Sequence, residues 1–340
     1  MPEEDRPRTP AQMIGGILVL LGVVVALLGG FAAYCIRMPG ETHAGELPPA
    51  DAELGALRDR LSDHVAALAG GIGERNRDNR RNLDRAAEYV EAQLGGAGYL
   101  VVPEVFGESQ FRNFVVDLYG SELRDEILVV GAHYDTAWFT PGADDNASGV
   151  AGLIEIARAL KDRPLRRSVR LIAFVNEEDP FFGGDEMGSM VAARRSYDRG
   201  ENIVGMFSLE MIGFYRTEPE SQHYPGAVRY FYPRVGDFIG FVGNLRSRAL
   251  LHQAIGEFRS GAGFPSEGLA APEWLVPDIR RSDNYAYWRY GFPALMVTDT
   301  SNFRTPHYHK VTDRPETLDY DRMARVVSGL AGTIAALANR

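Results

Sequence analysis

The apolar positions of this chain fall into two regimes. From Met13 to Ile36 there is an apolar block with no charged residue. About 20 apolar residues cross a bilayer, whereas the apolar core of a cleavable signal peptide is about 7–15 residues long, so the block predicts a retained transmembrane anchor. The stretch Gly40 to Leu54 is rich in Gly, Pro and Glu without periodicity, the composition of a linker. The expected organisation is therefore a short cytoplasmic tail at 1–12, an anchor at 13–36, a linker at 37–51 and one soluble domain at 52–340. Arg6 and Arg8 before the span against Arg37 after it favour an N-terminus in the cytoplasm and an extracytoplasmic domain.

Beyond the linker the pattern alternates. Leu83–Leu94 has helical spacing and ends in Gly95-Gly96, a helix stop. Strand-like runs occupy Leu100–Phe106, Phe111–Leu118, Ile127–Gly131, Val169–Val175, Ile203–Leu209 and Phe292–Val297. Helices are predicted at Ser148–Leu160, Glu186–Ala193 and Leu318–Leu337. Strands that are apolar on both faces, separated by helices, imply a three-layer α/β/α sandwich around a mixed, largely parallel sheet. Arg75, Arg77, Arg80, Arg81 and Arg85 are interleaved with Glu74, Asp78 and Asp84 and are read as one solvated helix face.

Composition narrows the chemistry. The chain has 340 residues and a formal net charge of −10, which argues against a nucleic-acid partner. The single cysteine, Cys35, excludes a disulfide framework and any Cys-rich metal site. A metal in this protein must be held by His, Asp and Glu.

Such residues stand just after the apolar strands, where an open α/β sheet binds its ligands. Ile127–Gly131 runs into His133-Tyr134-Asp135, Leu171–Val175 into Glu177-Glu178, and Ile203–Leu209 into Glu210. A carboxylate close to a ligating imidazole fixes its tautomer, which suits His-x-Asp. Glu177-Glu178 is a candidate base plus ligand. Asp144-Asp145, in a Gly- and Asn-rich turn, offers a further carboxylate, and Pro306-His-Tyr-His309 offers two histidines between which spacing does not choose. Together they form a donor set suited to two zinc ions sharing a carboxylate. No Gly-x-Ser-x-Gly elbow, His-Glu-x-x-His pair or phosphate loop occurs.

In order, Gly131-Ala-His-Tyr-Asp135, Gly142-Ala-Asp-Asp-Asn-Ala-Ser-Gly149, Phe174-Val-Asn-Glu-Glu178, Met187-Gly-Ser189, Ser208-Leu-Glu-Met-Ile-Gly213, Ser282-Asp283, Gly291-Phe-Pro-Ala294 and Tyr308-His-Lys-Val-Thr-Asp313 resemble the co-catalytic zinc peptidases that include bacterial leucyl aminopeptidases, glutamate carboxypeptidase and glutaminyl cyclases. The resemblance covers roughly Arg124 to Asp321. It implies two Zn²⁺ per chain, with Asp144 bridging them through a cis peptide to Asp145, His133 and Glu210 completing one site, and Glu178 and His309 the other. It also implies that Glu177 is the general base, that Asp135 orients His133, and that His309 rather than His307 is the ligand. The expected activity is that of a membrane-anchored aminopeptidase acting on a peptide or small amide. The alternatives are a glutaminyl cyclase-like acyltransferase and a non-catalytic peptide-binding ectodomain. Relatives often read Ser-Asp-His where this chain has Ser282-Asp283-Asn284, and Lys310 and Arg314 flank the last ligand where small or polar residues are commoner. The Gly/Pro- and aromatic-rich segments Thr217–Val235 and Ser260–Asp278 are candidate pocket walls or plain surface insertions. Substrate preference and oligomeric state stay open.

Overall fold

The computed structural model describes residues 10–340, so most of the expected tail at 1–12 lies outside the described residues. The chain divides into two compact units, Met1–Arg37 and Met38–Arg340. Within the first, Pro10–Ile36 forms one helix, α1, whose apolar residues Leu18, Val25 and Leu27 are exposed. At 1.5 Å per residue it is roughly 40 Å long, enough to span a bilayer.

The second unit is built on eight strands: β1 (Val102–Phe106), β2 (Phe111–Leu118), β3 (Leu123–His133), β4 (Arg167–Phe174), β5 (Asn202–Glu210), β6 (Ile239–Asn244), β7 (Ser266–Ala271) and β8 (Ala294–Thr298). They form a single sheet in the order β1-β2-β4-β3-β5-β8-β6-β7. Strands β4, β3, β5 and β8 run parallel, and β6 and β7 are parallel to each other but antiparallel to β8. Antiparallel β1 and β2 close the other edge.

The alternation of side chains along each strand feeds two cores. Leu128, Val130 and Ala132 of β3, with Phe207 and Leu209 of β5, pack beneath α2 (Ala52–Val65), α3 (Arg80–Gly96), α4 (Gly149–Leu160), α6 (Arg248–Gly261) and α8 (Tyr320–Ala338). On the opposite face Val129, Phe174, Met206 and Ala294 pack against α5 (Gly188–Asp198) and α7 (Asn284–Arg289). Burial on both faces is the reason these strands read as unbroken apolar runs. The sheet is the mixed, mostly parallel one expected, covered on both sides by helices.

Three features depart from the sequence reading. Ser260–Asp278 is not a plain loop, because it contains β7, whose Gly and Ala residues are poor strand formers and are held by pairing to β6. Arg75 is not on a solvated face, for it precedes α3 and is fully buried, while Arg77, Arg81 and Arg85 are exposed. The Gly/Pro-rich stretch before α2 is hydrogen-bonded to the domain: Pro39 and Gly40 carbonyls accept from Arg259, and Thr42 Oγ1 accepts from the Ser266 amide at 2.8 Å.

Candidate active site

Strands β4, β3 and β5 end together, so the residues that follow them meet at one edge of the sheet. His133 closes β3, Glu177 and Glu178 follow β4, and Glu210 closes β5. Asn176 (φ 63°), Met211 (φ 50°) and His309 (φ 54°) are left-handed, and each adjoins or is one of these residues. For a non-glycine residue that conformation costs about 1–2 kcal/mol, and it turns the chain sharply enough to aim consecutive side chains into one crevice.

Asp135 ties two of these strand ends together. Its carboxylate accepts the amide hydrogens of Glu177 and Glu178, each at 3.2 Å, and lies 3.5 Å from His133 Nδ1. His133 Nε2 therefore points the other way, to 3.4 Å from Asp145 Oδ1 and 3.3 Å from Glu210 Oε2. His309 Nε2 lies 3.1 Å from Asp145 Oδ2 and 3.3 Å from Glu178 Oε1. One carboxylate, that of Asp145, thus faces two groups of donors: His133 with Glu210, and Glu178 with His309.

The donors fit a pair of divalent ions better than they fit one another. His133 Nε2, Asp145 Oδ1 and Glu178 Oε1 are buried and make no hydrogen bond among the described residues. Buried polar atoms are almost always paired, and a cluster of orphans with imidazole and carboxylate character is what a metal satisfies. The electrostatics agree. Burial pushes Glu178 up to about 7, helped by the charge of Asp145 and opposed by His309. Burial also lifts Glu177 well above the usual carboxylate range, with Glu178, Glu210 and Asp283 adding to it against His133. Burial would raise Asp145 as well, but the imidazoles of His133 and His309 beside it hold it below the usual range.

Of the residues expected here, the structure brings together His133, Asp135, Glu177, Glu178, Glu210 and His309. It does not bring Asp144. That carboxyl is turned away, with Oδ1 accepting the Gly213 amide at 3.0 Å, and burial next to Asp299 and Asp313 raises it well above the usual range. The non-proline cis peptide is Asp145–Asn146 rather than Asp144–Asp145. His307 also faces elsewhere: its Nδ1 is 3.0 Å from Thr312 Oγ1 and its ring meets Phe214 edge-on.

The roles of several supporting residues are set by the fold rather than by the sequence pattern. Asp313 accepts the amides of both Asp144 (2.9 Å) and Asp145 (3.1 Å), locking the loop that carries Asp145. Ser282 Oγ donates to Glu210 Oε2 at 2.7 Å. The Arg75 guanidinium donates to the carbonyls of Gly73, Tyr134, Pro141 and Gly142, joining the end of β3 to the Asp145 loop. Asn284 donates to the Ile279 carbonyl, a structural role. Lys310 and Arg314 donate to the carbonyls of Pro306 and Val311 in their own loop.

The crevice is lined by Asp145, Glu177, Glu178, Glu210, Tyr308 and His309, and the Tyr308 ring stacks on His309 with centroids 3.8 Å apart. Glu210, Arg281 and Tyr308 are shared with a second, mostly apolar pocket of about 120 Å³, to which both Gly/Pro-rich segments contribute.

Residues 113–334 match the model of peptidase family M28. The chain is 39% identical over 288 residues to the uncharacterised protein YfbL of Escherichia coli (strain K12), covering 81% of this chain and 87% of that one. Among solved structures, a zinc aminopeptidase from Bacillus subtilis superposes with a TM-score of 0.64 at 14% identity, over 87% of this chain and 97% of that one. A glutaminyl cyclase from Tannerella forsythia gives 0.58 at 17% identity, over 82% and 98%. These two likenesses are likenesses of fold.

Proposed function

The chain belongs to peptidase family M28, and on that footing we propose that it is a membrane-anchored aminopeptidase working with two zinc ions. The observation that carries the reading is the single Asp145 carboxylate placed between two donor groups, with Asp145 Oδ1, His133 Nε2 and Glu178 Oε1 buried and without a hydrogen-bond partner among the described residues. His133 and Glu210 would hold one ion and Glu178 and His309 the other, with Asp145 standing in both groups. Bound there, zinc supplies Lewis acidity and lowers the pKa of water toward about 7.

The remaining work falls to the chain. Glu177 belongs to neither donor group, yet its Oε2 is 3.8 Å from His133 Nε2 at the centre of the crevice. It takes the proton of the attacking water at a carboxylate oxygen and returns it to the leaving amine. Asp135 holds the Glu177 amide and the His133 ring in register. The carboxylate-rich crevice attracts a free, protonated amino terminus, and the apolar pocket beside Glu210 receives the side chain of the same residue. The uncharged 24-residue span Met13–Ile36 supports the anchor, and Arg6 and Arg8 support an extracytoplasmic domain.

The test uses the full chain purified in detergent. It should carry close to two zinc ions, cleave peptides with a free amino terminus and spare blocked ones. Glu177→Gln should retain zinc and lose about 10²–10⁴-fold in turnover. A folded protein that takes up no zinc, or conversion of N-terminal glutamine peptides to pyroglutamate without hydrolysis, would replace this reading.

A further inference from the structure

The apolar pocket contains one feature that an apolar side chain does not need. Its floor is a single row of residues paired across four strands. Glu210 of β5 pairs with Thr298 of β8, Thr298 with Gly240 of β6, and Gly240 with Glu267 of β7. Paired residues project from the same face, so this row runs from the metal centre to Glu267, with Met296, Val242 and Leu269 alongside. Gly240 has no side chain at the step next to Glu267, which leaves the floor open there.

Glu267 is half-buried and lines the pocket, and its carboxylate makes no hydrogen bond or ion pair among the described residues. Burial raises its pKa, and the one cation that opposes the shift is Arg259, whose guanidinium is already engaged by Ser266, Pro39 and Gly40. Of the other two pocket acids, Glu210 accepts from Ser282 and Asp278 is bonded to Arg281 at 3.2 Å, and Arg281 also binds Asn302 and Tyr308. Glu267 is thus a half-buried acid with unused acceptors. Tyr224 and Tyr232 wall the same pocket with their hydroxyls tied to Pro233 and Gly268 carbonyls. Aromatic walls of this kind tolerate a cation.

The distances suit one kind of guest. Three inter-strand steps of about 4.8 Å separate Glu210 from Glu267 by roughly 14 Å. A lysine side chain reaches about 6 Å from Cα to its ammonium, and the remainder is taken by the substrate's backbone at the Glu210 end and one hydrogen bond at the Glu267 end. A leucine side chain leaves the far end of the floor empty.

We propose that Glu267 is a specificity-determining residue, selecting substrates whose amino-terminal residue is lysine or arginine, with the stem on Val242, Leu269 and Met296 and the cation on the Glu267 carboxylate. This rests on the aminopeptidase reading above. The test compares lysyl, arginyl and norleucyl anilides on the zinc-loaded full chain, norleucine being lysine without its charge. The native protein should favour the cationic substrates at least tenfold in kcat/KM, and Glu267→Gln should lower the lysyl-to-norleucyl ratio at least tenfold. A ratio unchanged by Glu267→Gln overturns the proposal while leaving the aminopeptidase reading intact. If no anilide is cleaved, that reading fails, and calorimetry with L-lysinamide and L-norleucinamide decides the pocket by itself. A lysinamide affinity at least tenfold weaker in Glu267→Gln, with norleucinamide unmoved, upholds the assignment, and equal lysinamide affinities overturn it.

Discussion

Two adjacent aspartates show how little the residue type says about the role. Asp144 and Asp145 are both fully buried and share a loop, yet Asp145 is aimed at two histidines while Asp144 accepts the Gly213 amide on the other side. An asparagine at 145 would leave a single oxygen to face the two donor groups that Asp145 stands between, whereas 144 belongs to neither group. Asp145→Asn should therefore weaken zinc binding by about 100-fold or more, read by competition with a chelator, and Asp144→Asn should leave it within a few-fold. Equal losses from both would return the bridging role to doubt.

At the scale of elements, the site is a junction of strand ends, and the clamp on that junction is Arg75. Its fully buried guanidinium, lowered to about 10 by burial and still charged at neutral pH, satisfies carbonyls at the end of β3 and in the Asp145 loop. Gly142 begins that loop with φ 61°, and a Cβ there would lie 2.3 Å from the Asp145 carbonyl oxygen, so the turn has no room for a side chain. Arg75→Met would strand four carbonyls and remove the cation that faces Asp135 and Asp145. Urea unfolding should show a loss of about 3–5 kcal/mol, with zinc affinity falling in parallel. Stability unchanged by Arg75→Met would show that water replaces the guanidinium.

At the scale of the whole molecule, the domain concentrates acidic groups in its interior, and the stability of the metal-free form should depend on pH accordingly. Burial raises Glu178, Asp283 and Asp313 to about 7 and Asp299 to about 6. For these carboxyls the folded chain holds more protons than the unfolded one, so stability is lost as pH rises from about 4 through 7. His309, which burial would lower but Asp145 and Glu178 raise to about 10, acts in the same direction: its contribution is complete below about 6.5 and is lost toward 10. Asp145, depressed, matters only in strong acid. Thermal melts of the metal-free full chain should thus drop by roughly 5 °C or more between pH 5 and 8. Zinc should raise the Tm more at pH 8 than at pH 5, because its ligands must be deprotonated. A metal-free protein that gains stability over this range would contradict the buried-acid account.

The elements that were legible in the chain are those whose burial leaves a mark on composition. Strands β2 to β5 and β8 are packed on two faces and read as apolar runs, α1 is apolar on every side, and α3, α4 and α8 keep a helical period. The strands that escaped, β6 and β7, are short and rich in glycine and alanine, and pairing rather than propensity holds them. The same division runs through the site. His133, Glu177, Glu178 and Glu210 were visible because each follows an apolar strand, and order along the chain is enough to place them at one edge. The choice of Asp145 over Asp144, the depth of Arg75 and the row from Glu210 to Glu267 depend on loop conformation and on strand pairing between segments far apart in sequence. Spacing is blind to those, because a one-residue change in backbone direction reverses what a side chain faces.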